Sequence, residues 1–177
     1  GGGFSFWATV ECGPELSATE NCCYVLTDLE AGEYAVGRPF RVNGDARQAD
    51  CPTDNGWSAD LEIDLTGITE EQRRRVVAAW LAAGQAEHAS VAAFARFGMQ
   101  LLGLGAPAML VAEATRAMAD EIRHTRLSLG VASAMAGEVF GLGPISMDDA
   151  LQDATDPASV LVDTIREGCV NETVSAA

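Results

Sequence analysis

The chain has 177 residues, with 26 aspartates and glutamates against 11 lysines and arginines, and a formal net charge of -15. Because nucleic acid and anionic membranes repel such a surface, neither is expected as a partner. The richest apolar run, residues 76–97, is interrupted by Gln85, Glu87, His88 and Arg96, so no segment is predicted to span a membrane.

Residues 1–60 form a turn-rich segment with four cysteines, namely Cys12, Cys22, Cys23 and Cys51. Short apolar runs separated by glycine, proline, asparagine and aspartate are typical of small hairpins, so we expect irregular or β structure here. The cysteines predict two disulfides whose order of pairing is open, and disulfides indicate a periplasmic, envelope-associated or secreted location. A zinc site is the competing interpretation, although no two of these cysteines have the Cys-x-x-Cys spacing.

A mainly α-helical bundle is predicted for the second region, residues 69–177. A capping box at Thr69 begins the first long helix. The glycine- and proline-containing turn at residues 103–107 makes the second helix its antiparallel neighbour, and Gly137 is the predicted end of that second helix. Asp156, which precedes a proline, is predicted to begin a third helix.

The apolar periodicity of each helix predicts which side chains form the core of the bundle. The predicted core includes Trp80 on the first helix, Leu110 and Leu127 on the second, and Leu161 and Ile165 on the third.

Three ionisable side chains share these predicted core stripes. Glu87 follows Trp80 by seven residues, and Glu121 and His124 lie one turn apart on the second helix. A buried carboxylate is costly unless it is paired or binds a metal. At the helical rise, Glu87, Glu121 and His124 lie about 24, 21 and 25 Å from the turn that joins the two helices. We therefore expect the three side chains to meet.

The third helix offers two further candidates, Glu167 and Glu172, which lie about 140° apart around a helix. If the connection before this helix crosses the bundle, Glu172 reaches about 22 Å and matches the level of Glu121, whereas Glu167 reaches about 15 Å. Glu172 also continues the stripe of Leu161 and Ile165. It is therefore the expected ligand, and Glu167 is an outer hydrogen-bond partner or a solvated acid.

Two other polar residues have two interpretations each. Asp120 is either an acceptor for a ligand histidine or a surface acid. His88 is either a ligand or outer partner of the site, or a packed and hydrogen-bonded core histidine.

Three segments, EHASVAAF at 87–94, DEIRH at 120–124 and EGCVNET at 167–173, resemble a bacterial group of ferritin-like proteins that is frequent in myxobacteria. The resemblance covers roughly the last 110 residues. It implies a ferritin-like antiparallel bundle with three of its four helices present, and a dinuclear iron site that could also take manganese.

By this resemblance the metal ligands are Glu87 and Glu172 as single carboxylates, together with Glu121 and His124 as a Glu-x-x-His pair. The second such pair is expected on a fourth helix beyond Ala177, and a homodimer is the alternative way to complete the set. The implied function is that of an oxidoreductase acting on ferrous iron, O2 or peroxide. The alternative is a metal-free structural or surface-binding module, in which the same ionisable residues form an interior ion and hydrogen-bond network.

Overall fold

The structure is a computed structural model that describes residues 9–16, 22–27, 38–52, 55–152 and 156–170. Strands β1 (Thr9–Leu16) and β2 (Cys22–Thr27) pair in an antiparallel hairpin whose register shifts twice. Strands β3 (Arg41–Val42) and β4 (Asp45–Ala46) form a second, shorter hairpin. The turn of this second hairpin is Asn43-Gly44, and both residues have the positive φ that a tight two-residue turn requires.

The described chain is mainly helical, as predicted. Its helices are α1 (Glu70–Gly103), α2 (Ala108–Ala136) and α3 (Pro157–Asp163), and α3 continues as a π-helical segment, Thr164–Val170. The two long helices α1 and α2 pack against each other in antiparallel directions. None of the described helices combines the length and the apolar character needed to cross a membrane.

The helix ends follow the local signals in the sequence. The Thr69 side chain accepts a hydrogen bond from the backbone N–H of Gln72, and the Gln72 side chain accepts one from the N–H of Thr69 at 2.9 Å. Gly137 ends α2 in the left-handed conformation at φ 76°. Asp156 caps α3, and hydrogen bonds from Ser159 lower the pKa of the Asp156 carboxyl. All three predicted boundaries are confirmed.

Arg73 joins the beginning of α1 to the end of α2. Its guanidinium group donates hydrogen bonds to the carbonyl oxygens of Met135 and Ala136, the last two residues of α2. A cation at this position also compensates the negative end of the helix dipole. The two helices are therefore linked at this end as well as by the turn at their other end.

The contact between α1 and α2 differs from the predicted core. Trp80 is 40% exposed and Leu110 is 46% exposed, and Leu127, Leu161 and Ile165 are exposed as well, so these core predictions were wrong. The buried positions of the two long helices are mostly small residues: Gly84, Ala89, Ser90, Ala93, Ala114, Ser128, Gly130, Ala132 and Ser133. Among them, Gly84 lies against Leu129 and Ser128 of α2.

Large apolar side chains enter the core mainly from outside the two long helices. Phe40 and Val42 pack on Ala89 and Ala93 of α1, in a cluster that also includes Ala150. A second cluster joins Leu129 of α2 to Ala49 and Leu142. The segments before α1 and after α2 therefore cover one side of the helix pair.

Gly130 on α2 lies where the preceding segment crosses the helix. A Cβ atom added there would lie 2.7 Å from the carbonyl oxygen of Ala59 and 3.0 Å from Leu61 Cδ1. We expect Gly130→Ala to lower the free energy of unfolding by about 1–3 kcal/mol, because backbone must shift to admit the methyl group. Urea denaturation followed by circular dichroism measures this change.

Gly98→Ala on α1 is the matched control. No atom lies within 4 Å of the added Cβ at this position. Since alanine favours the helix over glycine, this variant should be more stable by roughly 0.5–1 kcal/mol. Equal effects at the two glycines would contradict the close approach at Gly130.

Candidate metal centre

The antiparallel pairing of α1 and α2 brings Glu87, Glu121 and His124 together. Nδ1 of His124 lies 3.8 Å from Oε2 of Glu87 and 3.7 Å from Oε2 of Glu121. One ligand atom from each of the three residues falls within a set whose members are all within 4.8 Å of one another. The expected convergence of these three side chains is therefore present in the structure.

The separations within this cluster are close to those of ligands that share one metal ion. Two ligand atoms at about 2.1 Å from an ion can be at most about 4.2 Å apart. The distances from His124 Nδ1 to the two glutamate oxygens, 3.7 and 3.8 Å, are shorter than this maximum. No two ligand atoms of the group are more than 4.8 Å apart, which is only slightly longer than the maximum. A small rotation of one carboxylate would therefore bring all three ligand atoms around a single ion.

Burial distinguishes the carboxylates from the imidazole. The side chains of Glu87 and Glu121 are 17% and 11% exposed, whereas that of His124 is 55% exposed. The carboxylates therefore lie in the contact between the helices and the histidine lies at its edge. Acidic groups on a surface are common without any metal, but two largely buried carboxylates beside one another need compensation.

Two local features of the helices support this arrangement. Gly84 lies one turn before Glu87, and a Cβ atom there would approach Leu129 Cδ2 to 2.9 Å, so glycine permits the close contact of α1 with α2. On α2, the buried Thr125 hydroxyl donates a hydrogen bond to the backbone carbonyl of Glu121 at 2.8 Å. Both features lie next to a candidate ligand and favour close packing there.

His88 is not part of this cluster. Its ring packs edge-on against Trp57, with 4.6 Å between the ring centroids, and burial lowers the pKa of His88. Nδ1 of His88 is buried and has no hydrogen-bond partner among the described residues. The structure therefore gives His88 the packing of a core histidine, without a hydrogen bond at Nδ1.

The structure places Asp120 on the outer surface of α2, where its carboxylate pairs with Arg123. The pair spans one helical turn, and the Arg123 side chain is largely exposed. Of the two interpretations of Asp120, the structure gives it the contacts of a surface acid.

Glu167 binds two arginines. Its two carboxylate oxygens each accept a hydrogen bond from Nη2 of Arg96 at 2.8 Å, and Nε of Arg38 lies 3.6 Å from Oε2. Glu167 is only 3% exposed, and burial raises its pKa while the two guanidinium groups act in the opposite direction. We call these three residues the arginine–glutamate cluster.

Aromatic rings complete the surroundings of this cluster. The Arg38 guanidinium lies 5.1 Å from the ring centroid of Phe94 and 5.0 Å from that of Phe97. The Arg96 guanidinium lies 5.0 Å from the ring of Phe40. These are distances at which a cation and an aromatic face attract each other.

Arg96 and Glu87 point in different directions from α1. Arg96 follows Glu87 by nine residues, which is about half a turn around the helix in addition to whole turns. Of the two interpretations of Glu167, a solvated acid is wrong because the residue is buried, and its described contacts are with Arg96 and Arg38. In the sequence, Arg96 interrupts an apolar run and Arg38 precedes a proline, and neither pattern predicts an ion pair with Glu167.

The other predicted site residues concern the cysteines and the end of the chain. Cys51 is a free thiol, half-buried, and burial raises its pKa, so this structure does not show the disulfide expected at Cys51. The side chains of Cys12, Cys22 and Cys23 lie outside the described residues, and so does Glu172.

Comparison with known proteins adds no relative. No protein-family model matches the chain, and neither a curated protein nor a solved structure matches it. What this protein does must therefore be inferred from its own residues.

Proposed function

We propose that this chain is a ferritin-like carboxylate protein that binds iron or manganese through Glu87, Glu121 and His124. The observation that carries the proposal is the set of two largely buried carboxylates and one imidazole, from two helices, within 4.8 Å of one another. A cation would offset the cost of placing two carboxylates in this contact. Carboxylate oxygens combined with imidazole suit iron and manganese.

The arrangement of the ligands on the helices supports the ferritin-like part of the proposal. Bundles of that class carry a single glutamate on one helix and a Glu-x-x-His pair on a neighbouring helix. Here α1 supplies Glu87, and α2 supplies Glu121 with His124 three residues later. Glu172 remains a proposed further ligand.

The proposed activity is oxidation or reduction of ferrous iron, O2 or peroxide. A bound iron or manganese ion would supply the redox chemistry at this position. The two glutamates would hold the ion and neutralise its charge, and His124 would bind it from the exposed edge. That edge is the side from which a small substrate can approach, because the carboxylates themselves are largely buried.

Metal titration tests the binding part of the proposal. We expect one Mn²⁺ or Fe²⁺ per chain by anaerobic isothermal titration calorimetry. Changing a group beside a metal ligand typically weakens affinity about 10–100-fold, so Glu87→Gln, Glu121→Gln and His124→Ala should each weaken binding by at least that factor. Glu113→Gln is the control, since Glu113 lies on α2 like Glu121 but forms an exposed pair with Arg116.

Two results would separate the remaining possibilities. Absence of stoichiometric metal, or equal affinity in Glu121→Gln and the Glu113→Gln control, would favour a metal-free structural or surface-binding module instead. The wild-type protein could also bind metal but consume Fe²⁺ with O2 or peroxide no faster than the His124→Ala variant does. That result would contradict the oxidoreductase activity and leave the metal-binding site intact.

A further inference from the structure

Exposed apolar side chains surround the turn that joins α1 to α2. They come from the end of α1, the turn itself and the beginning of α2: Met99, Leu102, Leu104, Met109 and Leu110. Each is at least 36% exposed, and Leu102 and Met109 are 66% and 70% exposed. We call these five residues the apolar tip. Large apolar side chains that are exposed together in this way mark a surface that binds something.

No charged side chain interrupts the apolar tip. Residues 97–112 contain no aspartate, glutamate, lysine, arginine or histidine, although the whole chain has a formal net charge of -15. On α2 the exposed Glu113–Arg116 pair begins six residues after Pro107, which is about 9 Å along the helix. On α1 the nearest charged residue is Arg96, at a similar distance from the turn. The end of the helix pair is therefore uncharged over about 9 Å.

The backbone of the turn satisfies its own hydrogen-bond donors. The N–H groups of Leu104, Gly105 and Ala106 each donate a hydrogen bond to a carbonyl oxygen in the last turn of α1. Pro107 has no N–H group, and its carbonyl oxygen accepts a hydrogen bond from the N–H of Leu110 at 2.9 Å. An unpaired N–H group is costly where water is absent, so this pairing lets the turn leave water at low cost.

We propose that the apolar tip inserts into the surface of a lipid bilayer whose headgroups are neutral and zwitterionic. Interfacial protein segments reach about 5–10 Å into the boundary between headgroups and acyl chains, and the uncharged end of the helix pair has that length. The charged residues beyond it stay in water. A bilayer with anionic headgroups fits less well, because it repels a chain with a formal net charge of -15.

The directions of the side chains favour a fluid surface over a folded partner. Met99 and Leu102 lie about 60° apart around α1, and Met109 and Leu110 lie about 100° apart around α2. With Leu104 in the turn, the apolar side chains do not form one flat face that a rigid partner could cover. Lipid chains can surround all of them. Charge also opposes a second copy of the chain as the partner, since two such chains repel each other.

The apolar tip is distant from the candidate metal centre. Glu87 lies 16 residues before Gly103, which is about 24 Å along α1. Insertion of the tip therefore leaves Glu87, Glu121 and His124 outside the bilayer. This inference does not rest on the proposed function, and changes in the tip should leave Mn²⁺ affinity unchanged.

The test is cosedimentation of the full chain with phosphatidylcholine vesicles. We expect Leu102→Lys and Met109→Asp each to weaken binding roughly tenfold or more, since a charge of either sign is costly in an apolar phase. Lysine suits the last turn of a helix and aspartate the first turn, so both variants should fold and give the circular dichroism of wild type. At low salt, vesicles that also contain phosphatidylglycerol should bind the protein more weakly.

Leu127→Lys is the matched control. Leu127 is an exposed leucine on α2, about 30 Å along the helix from the turn, and this variant should bind vesicles as wild type does. A second pair of variants measures insertion directly. The indole added by Leu104→Trp should shift its fluorescence emission to shorter wavelength with phosphatidylcholine vesicles, and the indole added by Leu127→Trp should not.

Three results would overturn the insertion of the apolar tip. They are no binding to phosphatidylcholine vesicles, equal binding by wild type and both tip variants, and tighter binding to vesicles that contain phosphatidylglycerol. Sedimentation velocity without lipid identifies the alternative occupant. A wild-type dimer that Leu102→Lys dissociates, together with no vesicle binding, would make the apolar tip a contact between two copies of the chain.

Discussion

Glu167→Ala is expected to lower the free energy of unfolding by about 3–5 kcal/mol, because removing one partner of a buried ion pair leaves the other charge in the interior. Both guanidinium groups of the arginine–glutamate cluster are buried beside Glu167, which is itself only 3% exposed. The cluster also joins the π-helical segment to α1 through Arg96. Urea denaturation at neutral pH, followed by circular dichroism, measures the loss.

Two further variants make this result specific. Glu113→Ala removes an exposed pair with Arg116 on α2 and should cost no more than about 1 kcal/mol. Replacing both Glu167 and Arg96 by methionine removes the hydrogen-bonded pair and leaves Arg38 in place. It should restore part of the loss, since apolar residues of similar volume often replace a buried pair without penalty. A loss at Glu167→Ala no greater than at Glu113→Ala would show that the cluster contributes little to stability.

Glu121→Gln should remove most of the stability that Mn²⁺ adds to the protein, without lowering the stability of the metal-free protein. Wild-type protein should gain about 2.7 kcal/mol in unfolding free energy when free Mn²⁺ is 100 times the dissociation constant. The variant should gain little under the same conditions. Without metal the variant should be at least as stable as wild type, because a neutral amide replaces a largely buried carboxylate beside Glu87.

Chemical denaturation of both proteins, in chelator and in Mn²⁺, checks this expectation. The Glu113→Gln variant is the control and should follow wild type in both conditions. If the metal-free variant were less stable than the metal-free wild type, the main role of Glu121 would be to stabilise the fold. Equal gains from Mn²⁺ in the two proteins would place the metal elsewhere.

The sequence predicted the helix ends and the convergence of Glu87, Glu121 and His124 because both depend on local geometry. The capping box at Thr69, the glycine at Gly137 and the cap at Asp156 each act within one helical turn. The heights of Glu87 and Glu121 follow from a fixed rise per residue and a short turn between the helices. Neither prediction required knowledge of the rest of the fold.

The arginine–glutamate cluster could not be predicted in this way. Arg38 precedes the helices by more than thirty residues, and it reaches Glu167 only because the segment around Phe40 packs on α1. Apolar spacing placed Leu161 and Ile165 inside, whereas Val160 and Glu167 are the buried residues.

The core of the helix pair was misjudged for a related reason. Apolar periodicity identifies a face but does not tell whether large or small residues of that face make the contact. Here Gly84 makes it against Leu129 and Ser128, and Trp80 remains outside. Close backbone approach was visible only in three dimensions.

The bonds from Arg73 to the end of α2 have a mechanical consequence for the centre between the helices. Sliding of α1 along α2 by one residue would change the difference in height between Glu87 and Glu121 by about 1.5 Å, which would disturb the close spacing of their side chains with His124. The turn resists this sliding at one end, and the guanidinium group held by Met135 and Ala136 resists it at the other. Side chains fixed in this way would lose little conformational freedom on binding the proposed cation.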